Sequence, residues 1–293
     1  MIISNITDSL GNQMFQYAAG LAIAMKHGVS LRLDTSGFAK DKRHNVFEIK
    51  RVFNCTAEIA GEADMRSVLG WQSSLPVRRI LSRRSMAVFR REKIVFEPHF
   101  HYWPEINHAP RECFLVGYWQ SEKYFRTYAS EVSADFTFKP LLTNVNVELS
   151  EQIAHVNAVS LHVRRGDYAT NPRNMRKHGV CPSNYYKEAI RYIAERVEAP
   201  YYFVFSDDMD WVRANLNINS PCCYVVHNRC SESYNDMRLM SLCRHHIIAN
   251  SSFSWWGAWL NPSTTKIVVA PKRWFNDYPA NTEDLMPEGW VTL

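Results

Sequence analysis

Through the second half of the chain, short apolar runs alternate with stretches in which apolar residues recur every three or four positions. Runs at 159–164, 201–206, 222–227, 245–249 and 266–270 predict strands, and the stretches 183–197, 209–216, 232–243 and 253–260 predict the helices between them. Alternation of this length predicts a parallel sheet with helices on both faces. The first half opens the same way: 1–6 reads as a strand, 13–27 as a helix with a buried face closed by Gly28, and 29–34 as a second strand. Another strand is expected at 113–120, a helix opens at Ser121, and a helical stretch follows Pro140. Between 35 and 110, turn residues, a basic run and an aromatic, proline-broken patch define no clear element.

With 293 residues, 46% of them hydrophobic, the chain is globular and long enough for two cores. The expected division is 1–150 and 151–293, the tail of the second part being able to pack back on the first. The N-terminus lacks a basic region followed by an apolar core, and no run reaches the roughly 18 apolar residues that cross a bilayer. Both observations predict a cytoplasmic protein. Seven cysteines form an odd set with no C-x-x-C pair, which argues against a disulfide framework and a structural zinc.

The net charge of +5 is unevenly spread, because Arg78 to Lys93 holds seven basic residues against the single Glu92. Such a run suits phosphates, nucleic acid or an anionic membrane surface, or is a solvated face. Ile80, Leu81, Met86, Val88 and Phe89 scatter around a helix, so any membrane contact would be electrostatic and peripheral.

Candidate chemistry collects after the strands of the second half. The heptad His162-Val-Arg-Arg-Gly-Asp-Tyr168 carries Arg164, Arg165 and Asp167 out of a buried strand. By strand alternation Arg164 shares the face of His162, which makes it the candidate anion holder; the alternative is an Arg–Asp pair that closes a loop. Asp207-Asp208, His227-Asn228-Arg229 and Asn250 to Ser254 follow later strands, so all four polar clusters fall on the carboxyl edge of one sheet, where ligands bind in such folds. Ser251, Ser252, Phe253 and Ser254 open a helix whose free N–H groups suit a phosphate, and Arg164 could complete a pyrophosphate clamp. Asp207 suits a base or ribose, whereas Asp208-x-Asp210 could bind a divalent ion. In the first half, Asp8 to Gln13 is a strand-to-helix turn able to hold a polar ligand, unless Asn12 simply caps the helix. Tyr118, Trp119, Tyr124 and Phe125 suit sugar faces or core packing. The absence of G-x-x-x-x-G-K-[ST] and G-x-G-x-x-G argues against kinases, P-loop enzymes and ordinary dehydrogenases.

Taken with Phe205-Ser-Asp-Asp208, Ile247 to Leu260, Gly117 to Phe125 and Gly11-Asn-Gln-Met-Phe-Gln-Tyr-Ala18, the heptad resembles the bacterial alpha-1,2-fucosyltransferases of glycosyltransferase family 11. The resemblance implies an α/β GT-B fold, two facing Rossmann-like domains with the donor in the C-terminal one. It also implies inverting transfer from GDP-fucose to the 2-OH of a galactoside in O-antigen or other surface-glycan synthesis, with no cofactor, no required metal and no nucleic acid. The basic run adds the expectation of a lipid-linked acceptor at the inner membrane surface. Carried over, Arg164 would hold the β-phosphate, His162 would orient the donor, Asp207 would read guanine or ribose, and Ser252 to Ser254 would meet phosphate, with Ser251 and Arg165 beside them. Asn12 would reach the reaction centre from an acceptor-side turn that includes Asp8, Gly11 and Gln13. The family's Gly-Gly-Leu-Gly-Asn-Gln is here Asp8-Ser-Leu-Gly-Asn-Gln13, which reshapes that turn and adds a carboxylate. Asp167 and Asp8 are the candidate bases. A metal-dependent GT-A transferase using Asp208 and Asp210, or a silent glycan- or nucleotide-binding module, are the competing readings.

Overall fold

The computed structural model describes residues 1–38, 46–81, 86, 92–277 and 280–293, the side chains of Arg79 and Asn144 excepted. Arg83, Arg84, Arg90 and Arg91 of the basic run thus lie outside the described residues. Two compact units form: Met1–Lys139 with Asn281–Leu285, and Pro140–Ala280 with Met286–Leu293. The break falls at Lys139–Pro140 rather than at 150, because helix Asn144–His155 places Leu149 and Ile153 in the core of the second unit. Of the tail, Asn281–Leu285 belongs to the first unit, where Ser121 Oγ donates to the Asp284 carbonyl (2.5 Å) and Lys123 pairs with Asp284.

In the first unit β1 (Ile2–Asn5), β2 (Leu31–Asp34), β3 (Glu58–Ile59), β4 (Ile94–Phe96) and β5 (Cys113–Val116) form a parallel sheet of order β3-β2-β1-β5-β4. Helix Leu10–His27 covers one face. Its Gly20 is required there: a Cβ would lie 2.9 Å from Leu31 Cδ1 and 3.0 Å from Ser4 Cβ. The helix starts at Leu10, ahead of the expected 13, with Ser9 at the cap position. Ile3, Ile94 and Phe114 line the opposite face against Met65, Val68 and Leu69 of helix Glu62–Leu69. The segment without sequence signal therefore contains helices and two strands, each too short to show a period.

In the second unit β6 (Asn157–Val163), β7 (Pro200–Ser206), β8 (Cys222–Val225), β9 (His245–Ile247), β10 (Val268–Ala270) and β11 (Val291–Thr292) give a parallel sheet of order β11-β10-β9-β6-β7-β8. Val159, Leu161 and Val163 pack on one side against Tyr186, Ala189 and Ile193, while Ala158, Phe203 and Phe205 pack on the other against Leu239 and Met240. Burial on both faces explains the near-continuous apolar runs of β6 and β7. Helices Ser183–Ala194, Met209–Asn215, Tyr234–Leu242 and Ser252–Trp259 stand where the pattern placed them. Helices Gly166–Thr170 and Pro172–Lys177 and strand β11 escaped it, being too short to show periodicity. No described helix is long and apolar enough to cross a membrane.

Candidate active site

Parallel pairing of β6 with β7 sets His162 opposite Phe205 and Val163 opposite Ser206, so the next residues, Arg164 and Asp207, meet beyond the carboxyl edge. Arg164 Nη1 lies 2.8 Å from Asp207 Oδ2, and Nη2 pairs with Asp167 Oδ1. Asn174 Nδ2 donates to the other Asp167 oxygen (2.7 Å), and Tyr168 lies under the guanidinium, 5.1 Å from its centre. The Arg165 N–H donates to Asp207 Oδ1 (2.8 Å), while its side chain pairs with Asp208 (3.1 Å) and sits 4.1 Å over the Trp211 ring. Gly166 is needed because a Cβ would come within 2.5 Å of Asp207 Oδ2. The Arg164 and Asp167 side chains are 33% and 47% exposed. A pair so solvated contributes about 0–1 kcal/mol, so an anion could take over the guanidinium at small cost.

His162 differs sharply. It is 7% exposed, and its Nδ1 has no hydrogen-bond partner among the described residues. Burial, reinforced by the Arg164 charge, lowers its pKa to about 3, so the ring is neutral at physiological pH. An unmet buried polar group costs about 1–3 kcal/mol and calls for a ligand or a water. Phe253, its ring 5.9 Å from that of His162, opens helix Ser252–Trp259.

The serines divide. Ser251 caps the helix, accepting from the Phe253 N–H (3.3 Å), and Ser252 is half-buried. Ser254, expected to offer a hydroxyl to phosphate, is buried and donates to the Ser251 carbonyl (3.3 Å). Asp208 accepts from the Trp211 N–H (3.2 Å) and carries Arg165, so it serves as a helix cap and ion-pair partner rather than half of an Asp-x-Asp ligand set. No group of three or more His, Cys, Asp or Glu among the described residues could hold a metal ion. His227 and Asn228 join a separate network with Asn146 and Asp236, whose carboxyl burial raises to about 7. Ser160, His246 and Asn261 are hydrogen-bonded in series (2.8 and 2.9 Å), but all three are buried, so this hydrolase-like chain is a core contact.

In the first unit, Asp8 follows β1 with φ 68°, a strained value for a non-glycine residue. Tyr118 Oη donates to Asp8 Oδ2 (2.8 Å), and Gln120 Nε2 donates to Asn12 Oδ1 (2.6 Å). Asn12 is therefore a first-turn residue, not the cap. Gln13 is fully buried: it donates to the Asp8 and Val46 carbonyls (both 2.8 Å) and accepts from the Glu48 N–H (3.0 Å). Gln13 consequently fixes the loop, and Gly11 is buried beside it. Glu97, which the sequence did not single out, accepts from the N–H groups of Tyr118 (2.7 Å) and Trp119 (3.0 Å) and so holds the turn that aims Tyr118 and Gln120. Trp119 is itself at φ 55°. Burial raises Glu97 to about 7.

Two parallel α/β units, each with its polar residues at the carboxyl edge of a Rossmann-like sheet, are the components of the GT-B fold class. The glycosyl transferase family 11 model matches residues 104–293, and this chain belongs to that family. It is 34% identical to an Escherichia coli alpha-1,2-colitosyltransferase over 100% of this chain and 99% of the relative. It is 33% identical to the Escherichia coli O-antigen biosynthesis glycosyltransferase WbnK, over 99% of each. The alpha-1,6-fucosyltransferase NodZ, solved after soaking with GDP-fucose, superposes with a TM-score of 0.57 at 14% identity, over 89% of this chain and 92% of that one, which shows a shared fold.

Proposed function

We propose that this enzyme transfers fucose from GDP-fucose, with inversion, to the 2-OH of a galactoside during O-antigen or related surface-glycan synthesis. The observation that carries the reading is the buried, neutral His162 with an unpaired Nδ1, one turn of strand from the solvated guanidinium of Arg164. A nucleoside diphosphate sugar meets both needs, polar atoms for the imidazole and phosphate for the arginine. The named activities of the E. coli relatives support the α-1,2 linkage and the glycan class.

The acceptor oxygen attacks fucose C1 while the C1–O bond to the β-phosphate breaks and GDP leaves with the electron pair. Arg164, oriented by Asp167 and Asp207, stabilises the charge growing on the diphosphate. Ser252 and the N–H groups at its helix start hold phosphate oxygens, with Ser251 and Phe253 shaping that start. Arg165 and Asp207 act on the donor through the turn they fix. Asp167 and Asp8 are the candidate groups that take the hydroxyl proton: Arg164 and Asn174 hold the two Asp167 oxygens, and Tyr118 holds Asp8 Oδ2. No step requires a metal.

Incubation with GDP-fucose and a galactoside, read by product mass and linkage with and without EDTA, tests this. Release of GDP without a fucosylated product would overturn it. A second reading, favoured by the colitosyltransferase relative, is a donor carrying colitose, the 3-deoxy counterpart of fucose. Competition between the two GDP sugars decides between them. We also place the enzyme in the cytoplasm, at the inner membrane face through Arg78 to Lys93, on a lipid-linked acceptor. Of that run, Arg78 is paired with Asp34 and Lys93 with Glu112. Liposome association unchanged by charge reversal at Arg83, Arg84, Arg90 and Arg91 would sink the membrane contact.

A further inference from the structure

Parallel register sorts the side chains of the first-unit sheet by face. Asn5 pairs with Asp34 across β1 and β2, and Phe96 with Val116 across β4 and β5, while Ile3, Phe114 and Ile94 form the row behind them on the same face. Helix Glu62–Leu69 covers the rear row. Toward the carboxyl ends of the strands this face opens into a pocket of about 220 Å³, lined among others by Asn5, Asp34, Leu75, Arg78, Phe96 and Phe114. We propose that this pocket binds a neutral pyranose ring of the acceptor.

Four observations carry it. First, Arg78 and Asp34 form an ion pair whose side chains are only 12% and 5% exposed, beside the apolar row of Ile3, Ile94 and Phe114. Buried pairs add little stability over well-packed apolar residues, so its presence asks for another use. Second, the pair is charge-balanced but not saturated. Asn5 Nδ2 donates to Asp34 (3.1 Å) and Arg78 Nη2 donates to Ser36 Oγ (3.1 Å), yet the buried Nε–H of Arg78 has no partner among the described residues. Planar carboxylate, amide and guanidinium groups meet the vicinal hydroxyls of a sugar, and net neutrality selects an uncharged ring. Third, Phe96 and Phe114 line the same space, with Arg78 5.2 Å over the Phe114 ring, and offer flat apolar walls to the C–H face of a pyranose. Fourth, the volume exceeds the roughly 150 Å³ cavity that accommodates benzene, so a substituted six-membered ring fits. The carboxyl edge of a parallel sheet is also where such folds bind ligands, and the lining residue Thr7 directly precedes Asp8.

That the ring belongs to the acceptor rests on the proposed fucosyl transfer; that the pocket binds a pyranose does not. Saturation-transfer NMR of methyl β-galactopyranoside and methyl β-N-acetylglucosaminide with the full chain, without donor, reads the pocket directly. At least one pyranoside should receive magnetisation from the parent. Leu75→Trp, which fills the pocket from a half-buried position and leaves the ion pair intact, should abolish the signal without lowering the melting temperature. Arg78→Met should weaken the signal too, with circular dichroism reporting whether the chain still folds. No signal in the parent, or an undiminished one in Leu75→Trp, would overturn the proposal and leave a water-filled recess. In transfer assays Leu75→Trp should raise the acceptor KM about tenfold or more and leave the donor KM alone. An unchanged acceptor KM refutes the acceptor assignment. Loss of the NMR signal in Leu75→Trp, combined with no transfer by the parent, keeps the pocket and fails the fucosyl reading.

Discussion

The two sheets share parallel topology and present opposite chemistry at their carboxyl edges. The second unit ends its central strands in two arginines, three aspartates and a helix N-terminus, with ion pairs open to water. At the first unit's edge, a buried Asp34–Arg78 pair, amides and aromatic walls stand beside a strained turn held by hydrogen bonds. The fold supplies an edge; the residues just past each strand decide whether it suits a diphosphate or a neutral polyol. Solvated pairs can be exchanged for a ligand's charges, whereas buried networks offer fixed geometry.

Removing Arg164 should break the contrast most severely. Arg164→Ala should lower turnover by about 10² to 10³, with the acceptor KM nearly unchanged; turnover at the parent rate would refute the diphosphate assignment. Next is the pH dependence of the first unit. Burial raises Glu97 to about 7, so between its unfolded pKa, about 4.3, and that value the folded chain keeps a proton the unfolded chain has lost. The contribution of this side chain to stability therefore falls as pH rises through this window, by about 4 kcal/mol. Asp236, also raised by burial, acts in the same direction in the second unit. Buried His162, with its pKa lowered to about 3, and His246, also lowered by burial, act in the opposite direction over much of this range. The Glu97 contribution is therefore read as a difference: the urea midpoint of the parent should fall relative to that of Glu97→Gln from pH 4.5 to 7, and a constant difference would show that Glu97 is not the group concerned.

A smaller effect is expected of Tyr118→Phe, which removes the hydrogen bond to Asp8. The loss is about 1 kcal/mol, or roughly fivefold in kcat/KM for the acceptor, with donor hydrolysis spared. Salt sharpens the comparison most gently: raising ionic strength should weaken donor binding, which meets a solvated arginine, and leave acceptor binding nearly constant. Equal salt sensitivity of both KM values would erase the distinction between the edges.

Much of the second unit was legible because β6, β7 and its longer helices show their period, and because Arg164 and Asp207 directly follow those two strands. The first unit was legible only at its ends. Glu97 lies one residue beyond a three-residue strand, in a stretch with no readable period, and nothing local marks it. Ser254 and Gln13, polar residues in site-like motifs, are turned inward by packing, which nothing local in the sequence marks.

The amino-acid pattern alone determined the α/β class, the parallel sheet of the second unit, the family and the strand ends that carry polar residues, since these depend on local period and on motifs contiguous in the chain. Tertiary structure decided the partners and the protonation states. Arg164 meets Asp207 through β6–β7 register, Tyr118 meets Asp8 across β1 and β5, and Arg78 meets Asp34 over a sheet face. His162 is neutral and Glu97 raised because neighbours distant in sequence exclude water from them. Pairing and desolvation are set by register and packing between segments far apart in the chain, and no local period encodes either.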